Sequence, residues 1–152
     1  MNNTGGFYKD RPVKNRATGY TKIYENTGVT FDNHQYTRVL RGSPSGGAYS
    51  TVEDLLKFDV ALREHKLLSA ENTALLFTGR PELNAGFHSY GFFIEEGDAG
   101  KIVSHSGDGR GVNAQVTMYL DKGYTFGVLS NYSRPSGKII ADIITALINN
   151  LE

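Results

Sequence analysis

Residues 101–130 read KIVSHSGDGRGVNAQVTMYLDKGYTFGVLS, and this stretch decides the class of fold. From Val112 to Leu120 every second side chain is apolar, a period of two that is typical of a β-strand. Shorter β-type runs lie on either side, at Lys101–His105 and at Tyr124–Ser130. Short polar or glycine-rich segments separate the three runs, so the stretch predicts neighbouring antiparallel strands.

Two helical segments precede these strands and one follows them. Ser50 begins a Ser-x-x-Glu capping box, and apolar residues recur at helical intervals from Val52 to about Glu64. Ser69 is expected to cap a shorter helix that ends near Phe77, because a Gly-x-Pro sequence follows. After the strands, apolar residues three and four apart predict a terminal helix with one strongly apolar face: Ile139, Ile140, Ile143, Ile144, Leu147, Ile148 and Leu151.

The order of these elements predicts an α+β fold in which helices cover an antiparallel β-sheet. Residues 1–41 show no sustained period and are expected to form an irregular segment, with a short hairpin through Gly19–Tyr24. The two helices occupy 42–80, the antiparallel strands 88–132 and the terminal helix 136–151. A chain of 152 residues fits a single domain.

The composition excludes several classes of function. Sixteen basic and sixteen acidic residues give zero formal net charge, so the positive excess of a nucleic-acid-binding protein is absent. The charge is uneven, because residues 1–41 hold seven Lys and Arg against three acidic residues. No apolar run approaches the roughly 20 residues of a membrane span, and the polar first residues predict no signal-peptide core. Without cysteine there is no disulfide and no thiolate metal site.

We expect no metal site and no cofactor. The four histidines, His34, His65, His88 and His105, lack the spacings that metal sites favour. The glycines of Gly107–Gly111 suggest a phosphate loop, but such loops need a helix directly afterwards, and here a strand follows. Two interpretations stay open: a plain loop between antiparallel strands, or a loop whose backbone N–H groups face a substrate oxyanion. His105, next to this loop, is either structural or a binding residue.

No activated nucleophile is present in these 152 residues. No serine lies in a Gly-x-Ser-x-Gly sequence, and none is followed by lysine three residues later. Tyr24, Glu25 and Asn26 match a Tyr-x-Asn pattern, but a tripeptide this short is more often an ordinary hairpin segment. The residues alone leave open whether the protein is an enzyme.

Five segments, taken in order, resemble the C-terminal half of the serine β-lactamase-like family. That family includes class C β-lactamases, DD-peptidases, D-aminopeptidases and related esterases. The segments are Gly46–Phe58, Leu67–Ser69, Tyr90–Phe92, His105–Gly107 and Gly127–Asn131. The resemblance implies the C-terminal portion of the β-lactamase/transpeptidase-like fold, a single partial domain. It also implies a parent hydrolase that acts through an acyl-enzyme on an amide, ester or β-lactam.

The resemblance assigns roles to five residues. His105, Ser106 and Gly107 take the place of the family's Lys-Thr-Gly on the strand lining the active site, and are expected to bind substrate. An ordinary histidine is mostly neutral at pH 7, so it anchors a carboxylate less strongly than lysine does. The backbone N–H of Asp108 corresponds to one half of the oxyanion hole. Asn131 resembles an asparagine near the substrate carboxylate.

The resemblance also implies what this chain lacks. The family's Ser-x-x-Lys and Tyr-x-Asn motifs precede the segment that matches Met1–Thr4, so the fragment is expected to be inactive alone. Its expected partners are the missing N-terminal half or further copies of itself, with a small-molecule or peptide-like substrate in the intact parent. A periplasmic or secreted parent is favoured, although the localisation stays undecided. The alternative is a non-catalytic binding or interaction module with a β-lactamase-like sheet.

Overall fold

A computed structural model of the chain describes residues 1–8, 10–33, 41–84 and 87–151. Within these ranges, six strands form two antiparallel sheets, one of two strands and one of four. The strands are β1 (Tyr20–Glu25), β2 (Gly28–Asn33), β3 (Phe93–Gly97), β4 (Gly100–Gly109), β5 (Val112–Tyr119) and β6 (Tyr124–Ser130). The helices are α1 (Val52–Arg63), α2 (Ala70–Leu76), α3 (Ser136–Asn149) and a short 3-10 helix at Pro81–Leu83.

The larger sheet has the order β3-β4-β5-β6, with each strand antiparallel to the next along the chain. This is the order that short turns between successive strands enforce. The α+β class predicted from the sequence is confirmed, with antiparallel sheets and three α-helices in the described part of the chain.

The main hydrophobic core lies on one face of this sheet, where α1 and α2 pack. Burying apolar side chains stabilises the fold by about 25 cal/mol for each Å² removed from water. Phe77 and Phe92 add an edge-to-face ring contact with centroids 6.0 Å apart. The buried members of the core are Leu62, Phe77, Phe92, Ile94, Val103 and Met118.

Helix α3 covers the opposite face of β5. The backbone N–H of Lys138 donates to Asn113 Oδ1 at 2.8 Å. A Cβ at Gly137 would lie 2.7 Å from the carbonyl oxygen of Asn113, so glycine permits this close approach of helix and strand. Both faces of β5 are therefore buried, including the polar side chains of Asn113 and Thr117.

The first helix is capped by a different residue from the one that the sequence predicts. Thr51 is the N-cap: its backbone is extended, and its Oγ1 accepts a hydrogen bond from the Asp54 N–H at 3.2 Å. The prediction of Ser50 was wrong, because adjacent hydroxyl residues carry the same signal and only the backbone geometry separates them. The Ser50 hydroxyl instead bonds to the Thr4 hydroxyl at 2.8 Å. Ser69 caps α2 as its spacing predicts.

The apolar stripe that the sequence predicts on α3 mostly faces outward from the described residues. The helix meets the sheet through Gly137, Ala141 and Ile148, which are buried. Five other members of the stripe and its extension are between 48% and 63% exposed: Ile139, Ile140, Ile143, Leu147 and Leu151. None of the helices in the described ranges combines the length and the apolar character that crossing a membrane requires.

Candidate functional site

Strand β4 carries four of the five residues singled out from the sequence. His105–Asp108 lie within β4, whose pairing with β5 continues to Gly109 opposite Val112. The prediction of a glycine-rich loop was therefore wrong, because only Arg110 and Gly111 lie between the two strands. Glycine has low β-propensity and no side chain to show alternation, so this end of the strand gives no periodic signal in the sequence.

The outer edge of β4 is open over this segment. The pairing of β3 with β4 ends at Phe93 opposite Ser104, and no described residue pairs with the outer edge from His105 to Gly109. An unpaired edge of this kind presents a row of backbone donors and acceptors to an extended partner.

The backbone groups of two residues point into this open edge. A two-residue turn joins Gly109 to Val112, and in such a hairpin these residues form a hydrogen-bonded pair. Hydrogen-bonded and non-hydrogen-bonded pairs alternate along an antiparallel ladder. Ser106 and Asp108 are thus in non-hydrogen-bonded positions, and their N–H and C=O groups point away from β5.

Nothing in the described residues requires glycine at position 107. Its φ lies outside the left-handed region, and a Cβ there would meet no atom within 4 Å. By contrast, Gly111 has a φ of +68°, and its Cβ would lie 2.6 Å from the carbonyl carbon of Gly19. Glycine inside a strand is destabilising, and it often marks a place where a ligand or another backbone approaches closely.

A cavity of about 570 Å³ opens beside this end of β4, a size typical of small-molecule sites. Gly107–Arg110 form one wall, and Phe7 with the loop residues 45–49 forms another. Reciprocal backbone hydrogen bonds of 3.0 Å between Gly5 and Tyr49 hold that loop against the N-terminal segment. The cavity therefore combines mainly apolar walls with backbone groups and the charged residues Asp108 and Arg110.

His105 lies beside a group of rings that we call the aromatic cluster, formed by Phe87, His88 and Phe93. The His105 ring centroid is 5.8 Å from that of Phe93. Phe93 in turn lies 4.6 Å from His88 and 6.0 Å from Phe87, and the last two rings stack at 4.6 Å. Sequence patterns missed this cluster, because its members come from a loop and a strand edge that share no periodic spacing.

The structure does not bring Asn131 to β4. Asn131 follows β6, two strand spacings or about 10 Å from β4. Its Nδ2 donates to the Thr18 carbonyl at 2.8 Å, and its own carbonyl accepts from the Tyr20 N–H at 2.8 Å. Asn131 thus ties the β1–β2 hairpin to the end of β6.

The other residues considered from the sequence lie elsewhere. His65 follows α1, with Nδ1 3.4 Å from the Thr73 hydroxyl, and His34 falls outside the described residues. Tyr24 projects from β1 and is 78% exposed. Across the ranges that the structure describes, no three His, Asp or Glu side chains gather as a metal-binding group.

Two fully buried carboxylates on α1 anchor neighbouring segments. Burial opposes ionisation of Asp54, but hydrogen bonds from the Asn3 N–H, the Thr4 hydroxyl and Lys57 outweigh it and hold the pKa of Asp54 below its usual range. Asp59 pairs with Arg63 and accepts from the Thr125 hydroxyl at 2.7 Å. These contacts fix α1 to the N-terminal segment and to β6, away from the open edge.

Comparison with known proteins identifies the family to which this chain belongs. The family model described as Beta-lactamase matches residues 1–148, so the chain belongs to the β-lactamase family. The resemblance seen in the sequence is confirmed at the level of family and of a serine-hydrolase-type fold.

This chain is similar to a solved structure. The penicillin-binding protein from Bacillus halodurans matches with a TM-score of 0.78 and 26% sequence identity. The match covers 94% of this chain and 44% of that chain, so the present chain spans less than half the length of that structure. Among curated proteins, none matches the chain.

Proposed function

We propose that this chain supplies one wall of the active site of a β-lactamase-like serine hydrolase. The nucleophilic serine, in this proposal, lies on a segment outside residues 1–152. The open edge of β4 from His105 to Gly109 carries the proposal, because it offers unpaired backbone groups beside a cavity of about 570 Å³. The proposal also accounts for Gly107, whose missing side chain leaves room for an incoming group.

Each residue of the edge has a role in this proposal. The Asp108 N–H donates to the substrate carbonyl oxygen as negative charge develops on it. Loss of one such donor costs roughly 10²- to 10³-fold in rate. Ser106 pairs through its backbone with an extended substrate, Gly107 leaves room for that substrate, and His105 orients its carboxylate. The serine hydroxyl attacks the amide, ester or β-lactam carbonyl, the C–N or C–O bond breaks, and the amine or alcohol takes up the proton that the serine loses. Water then hydrolyses the acyl-enzyme to a carboxylic acid and frees the serine.

Asn131 has a weaker place in the proposal. Its distance of about 10 Å from β4 allows contact only with a large substrate, and its Nδ2 already donates to the Thr18 carbonyl. We keep it as a predicted contact near the substrate carboxylate, secondary to His105.

The absence of Ser-x-x-Lys from residues 1–152 supports a divided active site. The chain also matches only 44% of the penicillin-binding protein from Bacillus halodurans, which leaves more than half of that fold without a counterpart. We propose that the missing N-terminal half, or a further copy of this chain, covers the exposed apolar face of α3. For the intact parent we propose a small-molecule or peptide-like substrate and a periplasmic or secreted location.

Activity assays on two proteins test this function. The isolated chain is expected to leave a chromogenic β-lactam and a short-chain nitrophenyl ester unhydrolysed above the buffer rate. Turnover abolished by a serine-directed acylating agent would contradict the divided site. A protein extended upstream to include Ser-x-x-Lys is expected to form an acyl-enzyme visible by mass spectrometry. Replacing that serine with alanine is the matched control and should remove the adduct.

The second candidate is a non-catalytic binding module that uses the same edge. The absence of a nucleophile from residues 1–152 favours this alternative, because adding a strand to an open edge requires only backbone hydrogen bonds and no catalytic residue. An upstream sequence without Ser-x-x-Lys, combined with retained binding of an extended peptide, would select this alternative over the hydrolase.

A further inference from the structure

We propose that the aromatic cluster and His105 together form a specificity subsite that selects substrates carrying an aromatic ring. The inference rests on the proposed function, since it assumes that the substrate lies along the open edge of β4. It adds a substrate class: peptide-like molecules with an aromatic group on the side of the substrate that His105 contacts.

The rings form one continuous series that ends on the substrate edge. Their centroids lie 4.6 to 6.0 Å apart from Phe87 through His88 and Phe93 to His105. Aromatic pairs attract each other at 4.5 to 7 Å, with offset-stacked or edge-to-face rings. The series therefore links an exposed loop, ring by ring, to the residue proposed to orient the substrate.

The exposed rings are held in place by the backbone. Phe87 and His88 pair with the start of β3: His88 forms an antiparallel bridge with Phe93, and the Ile94 N–H donates to the Phe87 carbonyl at 2.6 Å. The Arg80 N–H donates to the His88 carbonyl at 2.9 Å. The backbone that carries these rings is thus already ordered, so binding costs less conformational entropy of the chain.

Exposure and location distinguish this cluster from core packing. Phe87 is 57% exposed, and His88 and His105 are exposed as well, so ring surface faces solvent. The cluster lies where the pairing of β3 with β4 ends, at the start of the open edge. From His105 to Asp108 the strand advances by about 10 Å, so the selected ring lies roughly that far from the reacting carbonyl.

Peptide titration of the 152-residue chain tests the subsite without needing catalysis. The probes are N-acetyl-Ala-Ala-Phe, N-acetyl-Ala-Ala-Ala and the cyclohexylalanine analogue of the first, followed by ¹H–¹⁵N NMR. The phenylalanine peptide is expected to bind roughly three- to tenfold more tightly than the alanine peptide. The cyclohexyl peptide should fall between them. The largest shifts are expected at Phe93, His105 and Ser106.

Variants assign this preference to the cluster. Phe87→Ala is expected to bring the ratio of the two affinities close to one, and Phe93→Leu, which keeps most of the side-chain volume, serves as a second variant. Tyr24→Ala removes a ring of similar size that is 78% exposed on β1, and should leave the ratio unchanged.

Two outcomes would overturn the subsite. Equal affinity for the phenylalanine and alanine peptides, with shifts along β4, removes the aromatic preference while leaving the substrate edge in place. Binding of neither peptide also overturns it, because all four rings are present in this chain. Failure of the proposed function would show in a different measurement: no acyl-enzyme would form in the extended protein.

Discussion

Gly107 is a strand residue whose identity the described residues do not explain. Alanine there should leave the free energy of unfolding unchanged or raise it by about 0.5 kcal/mol, because a strand glycine is entropically costly and its Cβ would meet nothing. The same methyl group would obstruct an extended substrate, so we expect affinity for the peptide probes to fall at least roughly tenfold. Thermal unfolding and NMR titration measure the two effects.

Gly97 provides the matched control for this substitution. It also lies in a strand with open space around a built Cβ, but at the far end of β3. Gly97→Ala should have the same small effect on the free energy of unfolding as Gly107→Ala and should leave peptide binding unchanged. Unchanged peptide binding in Gly107→Ala would show that no group approaches this position.

His105 allows a second test, in the protein extended to include the nucleophile. His105→Ala should lower kcat/KM roughly tenfold more for substrates that carry a carboxylate than for neutral esters, because only the former lose a hydrogen bond to a charged group. Parallel kinetics on one carboxylate ester and its methyl ester measure the difference. Equal losses of kcat/KM on both substrates would show that His105 has a structural role instead.

At this scale the sequence could single out His105–Asp108 as a candidate site, because the motif depends on residue identity and order; their role stays a prediction. The sequence could not predict how far Asn131 lies from β4, because this distance is set by the two strand spacings between β6 and β4. Nor could it reveal that the rings of Phe87 and His88 contact the ring of Phe93. This contact arises because an irregular loop folds back on β3.

Among the elements, those with a clear period could be predicted from the sequence. The alternation of Val112–Leu120 gives β5, and the apolar spacings give α1 and α3. The glycine-rich end of β4 could not be found in the same way, because its extended backbone is imposed by pairing with β5. Tertiary pairing overrides weak local propensity most readily at such positions.

The N-terminus of α1 depends on a buried carboxylate for its contact with the start of the chain. Asp54 accepts from the Asn3 N–H at 2.8 Å, the Thr4 hydroxyl at 2.9 Å and Lys57 at 3.3 Å. Asp54→Asn removes the charge that these donors stabilise and should lower the Tm by several degrees at pH 7. Faster amide exchange at Gly5, which bonds to Tyr49, should accompany the loss.

The same carboxylate predicts a pH dependence of stability. The pKa of Asp54 is lower in the folded state than in the unfolded chain, so its stabilisation is present above about pH 4 and is lost as the pH falls through the folded value. Asp54→Asn should therefore flatten the fall in Tm at acid pH. Asp142→Asn, at an exposed carboxylate paired with Lys138, is the control and should retain it. An acid profile identical in both variants would exclude Asp54 as its source.

Over the whole molecule, the distribution of apolar surface is uneven. The core on the α1 side of the sheet is closed, whereas α3 directs Ile139, Ile140, Ile143 and Leu147 outward. Contiguous apolar patches beyond a few hundred Å² usually mark an interaction surface. The strong apolar period of α3, read from the sequence, correctly identifies the helix, but periodicity alone does not reveal whether the covering partner lies within the same chain.

Self-association of the isolated chain follows from this exposed face. Covering on the order of 600 Å² of apolar surface would favour association by roughly 15 kcal/mol, against costs of about 4 to 15 kcal/mol for lost freedom. The small balance predicts a weak dimer and binding of a hydrophobic dye, measured by sedimentation at several concentrations and by fluorescence.

Substitutions on α3 test which surface is responsible for this association. Ile143→Glu with Leu147→Lys should abolish both dimer and dye signal without loss of stability, because both side chains are already more than half exposed and the new pair has favourable i,i+4 spacing. Leu67→Lys, at an exposed leucine after α1, is the control and should leave association intact. A compact monomer at every concentration that binds no dye would show instead that other residues of the chain cover this face.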